Sequence, residues 1–141
     1  MEIDRKVIED IIRQVLSEQK DECNILKFSP LKEEITEAHR LDTKNPSDRV
    51  YTKDLTTLSQ SPRLGMGVME MEKTTFPWHL DYDEADIVLE GSLSIIQNGI
   101  EKKAGVGEML FIPKGSDIKF SAPEYAKFVY VTYPADWYSG M

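Results

Sequence analysis

One cysteine, Cys23, and two histidines, His39 and His79, are all this chain holds of the side chains that most often bind borderline or soft metals. A single cysteine excludes an internal disulfide, so a reducing cytoplasm is the expected setting and Cys23 is read as a free surface thiol. No apolar run is long enough to cross a bilayer, and the N-terminus lacks the unbroken hydrophobic stretch of a signal peptide. Basic residues are also short: 17 Lys and Arg against 25 Asp and Glu leave a net charge of −8. With no basic strip, nucleic acid is not an expected partner, although a small anion bound locally is not excluded. Repeats and low-complexity segments are absent. What remains is a 141-residue chain, 40% hydrophobic and 30% charged, which fits one globular domain able to bury a core without staples.

Three stretches differ in pattern. Residues 1–20 place Ile3, Val7, Ile8, Ile11, Ile12, Val15 and Leu16 on one face with charges opposite, the signature of an amphipathic helix. Residues 21–63 read as linker, early strands and irregular loops; Ile25-Leu26-Lys27-Phe28 is a short strand stopped by Ser29-Pro30, and Asn45-Pro46-Ser47 a turn. Residues 64–141 turn to short alternating strands, with the barrel itself expected to begin near residue 25. Strands are expected at Leu64–Glu72, Phe76–Leu80, Ala85–Glu90 (ended by Gly91), Leu93–Gln97, Ile100–Ala104, Met109–Ile112, Ile118–Phe120 and Ala126–Tyr133. Asn98-Gly99 marks a two-residue hairpin. The fold class is mainly β, a small antiparallel barrel or sandwich preceded by a short helix.

Glu84 to Gly91, and Gly107, Pro113 and Gly115, keep a spacing that resembles the two signature segments of cupins, small jelly-roll barrels. The resemblance implies a cupin-type jelly roll. Its first segment carries H-x-H, three or four residues, E, six residues and G; its second ends two residues after P-x-G in a further histidine. On the four-residue spacing His79 takes the second histidine position and Pro77 the first, while Ile118 stands at the last. Only His79 and Glu84 of the usual four ligands remain, and a protein-held transition metal usually needs three well-placed donors. Asp81, Asp83 and Asp86 are the oxygen donors left nearby. No metal is expected, and a conventional metal-dependent cupin oxygenase or isomerase is not the expected activity.

Longer phrases, FPWHLDYDEADIVLEG, GEMLFIPKGSDIKF and FVYVTYPADW, resemble the Q protein family of ethanolamine-utilisation operons. That resemblance implies a cytoplasmic protein associated with a bacterial microcompartment and a homodimer. It also implies an acetate kinase activity interconverting ATP plus acetate with ADP plus acetyl phosphate. No tightly bound cofactor is expected; ATP and Mg²⁺ belong to the kinase reading. The N-terminal helix resembles an encapsulation peptide, a stripe that docks on a shell protein; folding back on the barrel or helping to form the dimer is the other use of such a helix. A non-enzymatic scaffold or small-molecule-binding cupin is the alternative function.

Alternation along a strand assigns the pocket. With Glu84 inward, Asp86 and Val88 follow it and Ala85, Ile87 and Leu89 face out; Pro77 and His79 are expected to face inward from the preceding strand. Glu84 and Asp86 are the candidate catalytic pair, because neighbouring carboxyls in a low dielectric raise at least one pKa toward neutrality. Phe76, Trp78, His79 and Tyr82 are the candidate pocket lining. Lys114, in Pro113-Lys114-Gly115-Ser116, is read as a solvated turn residue, since the order of a phosphate loop is absent. The aromatic tail from Tyr125 to Tyr138 is expected to pack.

Overall fold

The computed structural model describes residues 4–138, with the side chains of 16–22 left aside. Ile3 and the Leu16 side chain, two members of the expected helical stripe, therefore lie outside the described residues. Helix α1 runs Arg5–Glu22. It starts where Asp4, in extended conformation, accepts a hydrogen bond from the Lys6 amide at 3.0 Å, satisfying one of the four free N–H groups of the first turn. Its described apolar stripe stays uncovered: Val7, Ile8, Ile11, Ile12 and Val15 are 44–55% exposed.

The strands are β1 (Arg49–Asp54), β2 (Gly65–His79), β3 (Asp83–Gln97), β4 (Ile100–Gly105), β5 (Met109–Ile112) and β6 (Asp117–Tyr133). All pair antiparallel in the order β1-β2-β6-β3-β4, with β5 also on β3. Sequence reading divided β2, β3 and β6 into pairs of shorter strands; each is one long strand with an irregularity in the middle. Registers slip between Glu72 and Thr74, Val88 and Glu90, and Gly91 and Ser94. A β-bulge bends its strand without ending it, so turn-like residues there imitate a break. The slips fall on one line across the sheet and fold it in two, so that inner faces meet. Phe120 from one half stacks near Phe128 of the other, centroids 6.4 Å apart, within a core that includes Met69, Met71, Val88 and Ile95.

Ile25–Phe28 forms no strand. The segment is extended coil, with Ile25 84% exposed, and its neighbours are tied to the outer face of the sheet by side chains instead of a ladder. Lys53 Nζ binds the Glu33 carboxylate at 2.7 Å and the Glu34 carbonyl at 3.2 Å. The buried Lys127 Nζ reaches the Leu31 carbonyl at 3.4 Å and Glu70 Oε1 at 3.7 Å. Between this arm and β1 lie two single 3₁₀ turns, Pro30–Lys32 and Glu37–His39.

The Asn98-Gly99 hairpin joins β3 to β4 as expected, both residues at positive φ (51° and 78°). Gly91 does not stop a strand; it sits in the bend of β3 at φ +71°, where an added Cβ would run into the Tyr125 carbonyl oxygen. Backbone cannot step aside as a flexible side chain does. Gly91→Ala is therefore expected to cost about 3 kcal/mol or more. Gly99→Ala, also at positive φ but in open space, is expected to cost about 1 kcal/mol. Urea unfolding of the two variants measures the difference.

Candidate functional site

From Phe76 to Val88 every even-numbered residue points inward. Phe76, Trp78, Leu80, Tyr82, Glu84, Asp86 and Val88 are all buried, at 8% exposure or less, while Pro77, His79 and Asp81 are exposed. The alternation passes through the link between β2 and β3 without a slip. Glu84, Asp86 and Val88 thus share the inner face as the sequence implied, but Pro77 and His79 face solvent, contrary to expectation. The four-residue spacing requires one change of phase before Glu84, and the chain does not make it. On the three-residue spacing the histidine pair falls instead at Trp78 and Leu80. Pro77 is tolerated because β1 pairs only as far as Glu72 on β2, leaving the 74–79 half as a sheet edge.

His79 bridges the surface. Its Nδ1 lies 2.6 Å from Asp117 Oδ1 and its Nε2 3.0 Å from Asp81 Oδ1. Both contacts are satisfied only by an imidazolium, and hydrogen bonds to Asp117 and then Asp81 raise its pKa. The ring clamps the ends of β2 and β6 and contributes nothing to the interior.

Inside, Trp78, Leu80, Glu84 and Ile118 occupy the four positions at which a metal-binding cupin keeps its ligands. Three of the four carry no metal donor. Among the described residues no group of three or more His, Cys, Asp or Glu is arranged to hold a metal ion. The donor set does not fit a transition metal.

The interior instead contains a carboxyl pair and an aromatic wall. Glu84 lines a cavity of about 10 Å³ together with Phe76, Trp78, Tyr82, Tyr130 and Trp137. Asp86 lies behind it, fully buried. Glu84 Oε2 and both Asp86 oxygens meet no donor from the described chain. A hydrogen bond between the two carboxyls requires that one of them hold a proton. Burial raises the Glu84 pKa from 4.5 to about 7, with the Asp86 hydrogen bond pulling the other way. Burial, then the Glu84 charge, pushes Asp86 well above its ordinary value. The two therefore titrate as one coupled pair, held by burial toward its protonated form.

Of the expected lining, Phe76, Trp78 and Tyr82 face this cavity and His79 does not. Trp78 Nε1 donates to the Tyr82 hydroxyl at 2.7 Å, fixing both rings. Sequence reasoning missed the opposite wall. Tyr130 comes from β6 and donates to Asp54 Oδ1 of β1 at 2.6 Å, a contact between residues 76 apart in sequence. Trp137, from the tail after β6, packs near Trp78, Tyr82 and Tyr130 at centroid distances of 6.4, 6.0 and 5.7 Å. The tail was read as packing, and this is its packing; the alternation rule had no strand by which to aim Trp137. Trp137 also lines an outer cleft of about 550 Å³ with His39, Arg40, Lys53 and Asp54, so it stands between that cleft and the carboxyl pair. Lys114 is exposed in its turn, its amide donating to Asp83 Oδ1 at 2.8 Å.

The pair makes stability pH-dependent, and the sign follows from the raised folded pKa values. Below the unfolded pKa values, near 4, both states are protonated and stability is complete. As pH rises the unfolded chain releases protons that the folded chain retains, so stability falls through about 7 for Glu84 and further for Asp86. A shift from 4.5 to about 7 corresponds to on the order of 3 kcal/mol. Urea unfolding is expected to show a loss of that order between about pH 5 and pH 8. The Glu84→Gln/Asp86→Asn double variant is expected to lose most of this dependence, with His79 leaving a small residual fall in the same direction.

With the geometry in place, comparison with known proteins identifies relatives. The family profile described as Ethanolamine utilisation protein EutQ matches residues 3–139. A Clostridioides difficile (strain 630) protein named acetate kinase EutQ is 51% identical, over 97% of this chain and 96% of its own length. A Salmonella typhimurium protein of the same name is 43% identical over 86 residues, which span 61% of this chain but only 38% of that relative. Among solved structures, the Clostridium difficile EutQ protein superposes with a TM-score of 0.81 at 57% identity, covering 84% of this chain and 86% of that one. A cupin-2 domain protein of Shewanella frigidimarina superposes with a TM-score of 0.51 at 28% identity, over 59% of this chain and 78% of its own. The bent antiparallel sheet with one N-terminal helix is thus a cupin fold, and the chain belongs to the EutQ family of ethanolamine utilisation proteins.

Proposed function

We propose that this protein acts in ethanolamine breakdown as an acetate kinase, interconverting ATP plus acetate with ADP plus acetyl phosphate. The observation that carries the reading is 51% identity, over nearly the full length of both chains, to a protein named for that activity. In the forward direction an acetate oxygen attacks the γ-phosphorus, the bond to the β-phosphate oxygen breaks, and ADP leaves with the bonding pair. Such a transfer rests on positioning and charge neutralisation more than on proton movement. A cavity of about 10 Å³ cannot admit a nucleotide, so Mg²⁺-ATP is assigned to the outer cleft, where His39, Arg40 and Lys53 gather. Lys53 is held by Glu33 and Arg40 by Glu37 (3.3 Å), so bound phosphates would compete with these carboxylates. Glu84 and Asp86 act from beneath, across Trp137. Purified protein, freed of other kinases, is expected to form acetyl phosphate from ATP and acetate, trapped as the hydroxamate. Glu84→Gln/Asp86→Asn is expected to lower kcat at least about tenfold. No turnover in the wild type removes the kinase reading; a folded double variant with unchanged rate moves the chemistry to the cleft alone.

A second reading, a small-molecule-binding cupin, is favoured by the cavity inside the barrel. The cavity lining includes an unpartnered carboxylate oxygen and, among the described residues, no Lys, Arg or His. The two readings concern different spaces and are compatible.

The helix completes the proposal. Its described stripe is half-exposed over three turns, which is the state of a docking surface awaiting a partner groove. We assign it to recruitment into a bacterial microcompartment through a shell protein, with a homodimer as the expected assembly of the barrel. Deleting residues 1–20 is expected to leave barrel unfolding unchanged while abolishing co-purification with shell protein. Association retained by the truncated chain would end the recruitment role.

A further inference from the structure

We infer that the barrel interior is a binding site for a small primary ammonium compound, with Glu84 as its counter-ion and the aromatic wall as its cage. The inference rests on the small-molecule reading above and names the ligand class.

Three observations converge on a cation. The acceptor is built: Glu84 is 5% exposed, lines the cavity, and its Oε2 has no donor. An ionised carboxylate left so in a low dielectric costs several kcal/mol unless a positive group meets it. The wall is built too, since Trp78, Tyr82, Tyr130 and Trp137 turn toward one space and two of them are indoles. Ring faces attract cations electrostatically, and aromatic cages are a known means of holding ammonium groups. Two of the donors around the cavity are already committed. Trp78 Nε1 gives its hydrogen to Tyr82 at 2.7 Å, and Tyr130 gives its own to Asp54 at 2.6 Å. An anion entering this space would meet aromatic rings, a carboxylate and, among the described lining residues, no Lys, Arg or His, with only the hydroxyls of Tyr82 and Thr52 left to donate.

Size narrows the class. About 10 Å³ admits one particle the size of a water molecule, which is also the size of an –NH₃⁺ head. Its three hydrogens match Glu84 Oε2 and the open lone pairs of the Tyr82 and Tyr130 oxygens. Guanidinium and quaternary ammonium groups are too large for a volume of about 10 Å³. Any substituent beyond the head projects toward Leu41, Thr52 and Trp137, the side chains shared with the outer cleft, which border the way in. Water satisfies the orphan oxygen but supplies no charge, and this difference separates the two occupants.

The full-length protein is tested by thermal unfolding at about pH 8 with methylammonium chloride, against sodium chloride at equal ionic strength and against sodium acetate. A saturable rise in Tm of about 5 °C near a hundredfold excess over Kd is expected with methylammonium alone. Glu84→Gln is expected to lose it. In the wild type, ¹³C-labelled methylammonium is expected to show nuclear Overhauser contacts from its methyl group to indole and phenol ring protons. These contacts need no variant, should Glu84→Gln fail to fold. No gain over sodium, a gain surviving Glu84→Gln in folded protein, or absent ring contacts overturns the inference. Stabilisation by acetate in place of methylammonium overturns the ligand class and leaves the small-molecule reading standing. Stabilisation by neither removes both.

Discussion

Burying two adjacent carboxyls in an aromatic barrel is the constraint around which the rest of this molecule is arranged. Neither Glu84 nor Asp86 has a backbone or side-chain donor to offset desolvation, so the pair compensates itself by holding a proton. That solution demands a strand holding both residues on one face and a wall that excludes water around them. The unbroken inward set from Phe76 to Val88 supplies the first. The fold of the sheet along its line of bulges supplies the second by bringing Phe120 and Tyr130 over the same space. A core built for stability alone would carry apolar residues at these two positions, because replacing a buried ionisable pair by well-packed hydrophobic groups is often neutral or stabilising. The pair is therefore a functional signal, and its cost is borne by the packed wall around it.

Local chemistry in the sequence was sufficient where local chemistry decides. The helical stripe, the Asn98-Gly99 hairpin, the Met109–Ile112 strand and the joint inward facing of Glu84, Asp86 and Val88 each follow from spacing over a few residues. Errors arose where one residue changes phase or where partners are distant. Lys73-Thr74, Gly91-Ser92 and Pro123-Glu124 read as strand ends because bulges and turns use the same residue types. His79 was placed inside because either of two cupin spacings fits the same glycine, and only the register of Trp78 with Ile118 separates them. Ile25–Phe28 has the composition of a strand but meets no ladder. Tyr130, Trp137 and Asp54 reach the cavity from β6, the tail and β1, and no pattern within a window of residues encodes that meeting.

The two parts of the chain solve opposite problems. The barrel leaves no apolar position of its interior unsatisfied and ties its arm down with Lys53 and Lys127, whereas α1 leaves its described stripe open. A short isolated helix gains little from propensity and is marginal in water unless its apolar face finds a partner. Its retention as an uninterrupted amphipathic pattern, without Gly or Pro, is thus an argument for a partner outside the barrel.

Absence of the cupin ligand side chains and presence of the cavity are one arrangement seen from two sides. An imidazole at Trp78, Leu80 or Ile118 would need a cation or a donor to meet its nitrogen; the indole, isobutyl and sec-butyl groups now there fill volume and ask for nothing except that Trp78 find one acceptor, which Tyr82 provides. Where a cupin metal would offset the charge of Glu84, the described lining residues include no Lys, Arg or His, and Asp86 behind Glu84 adds to the negative potential of the site. Two carboxyls in place of a metal-balanced one can be tolerated as a half-protonated pair or matched by a positive ligand. The aromatic rings around Glu84 favour the second state and burial favours the first, so a ligand bound here would report through the pair's proton.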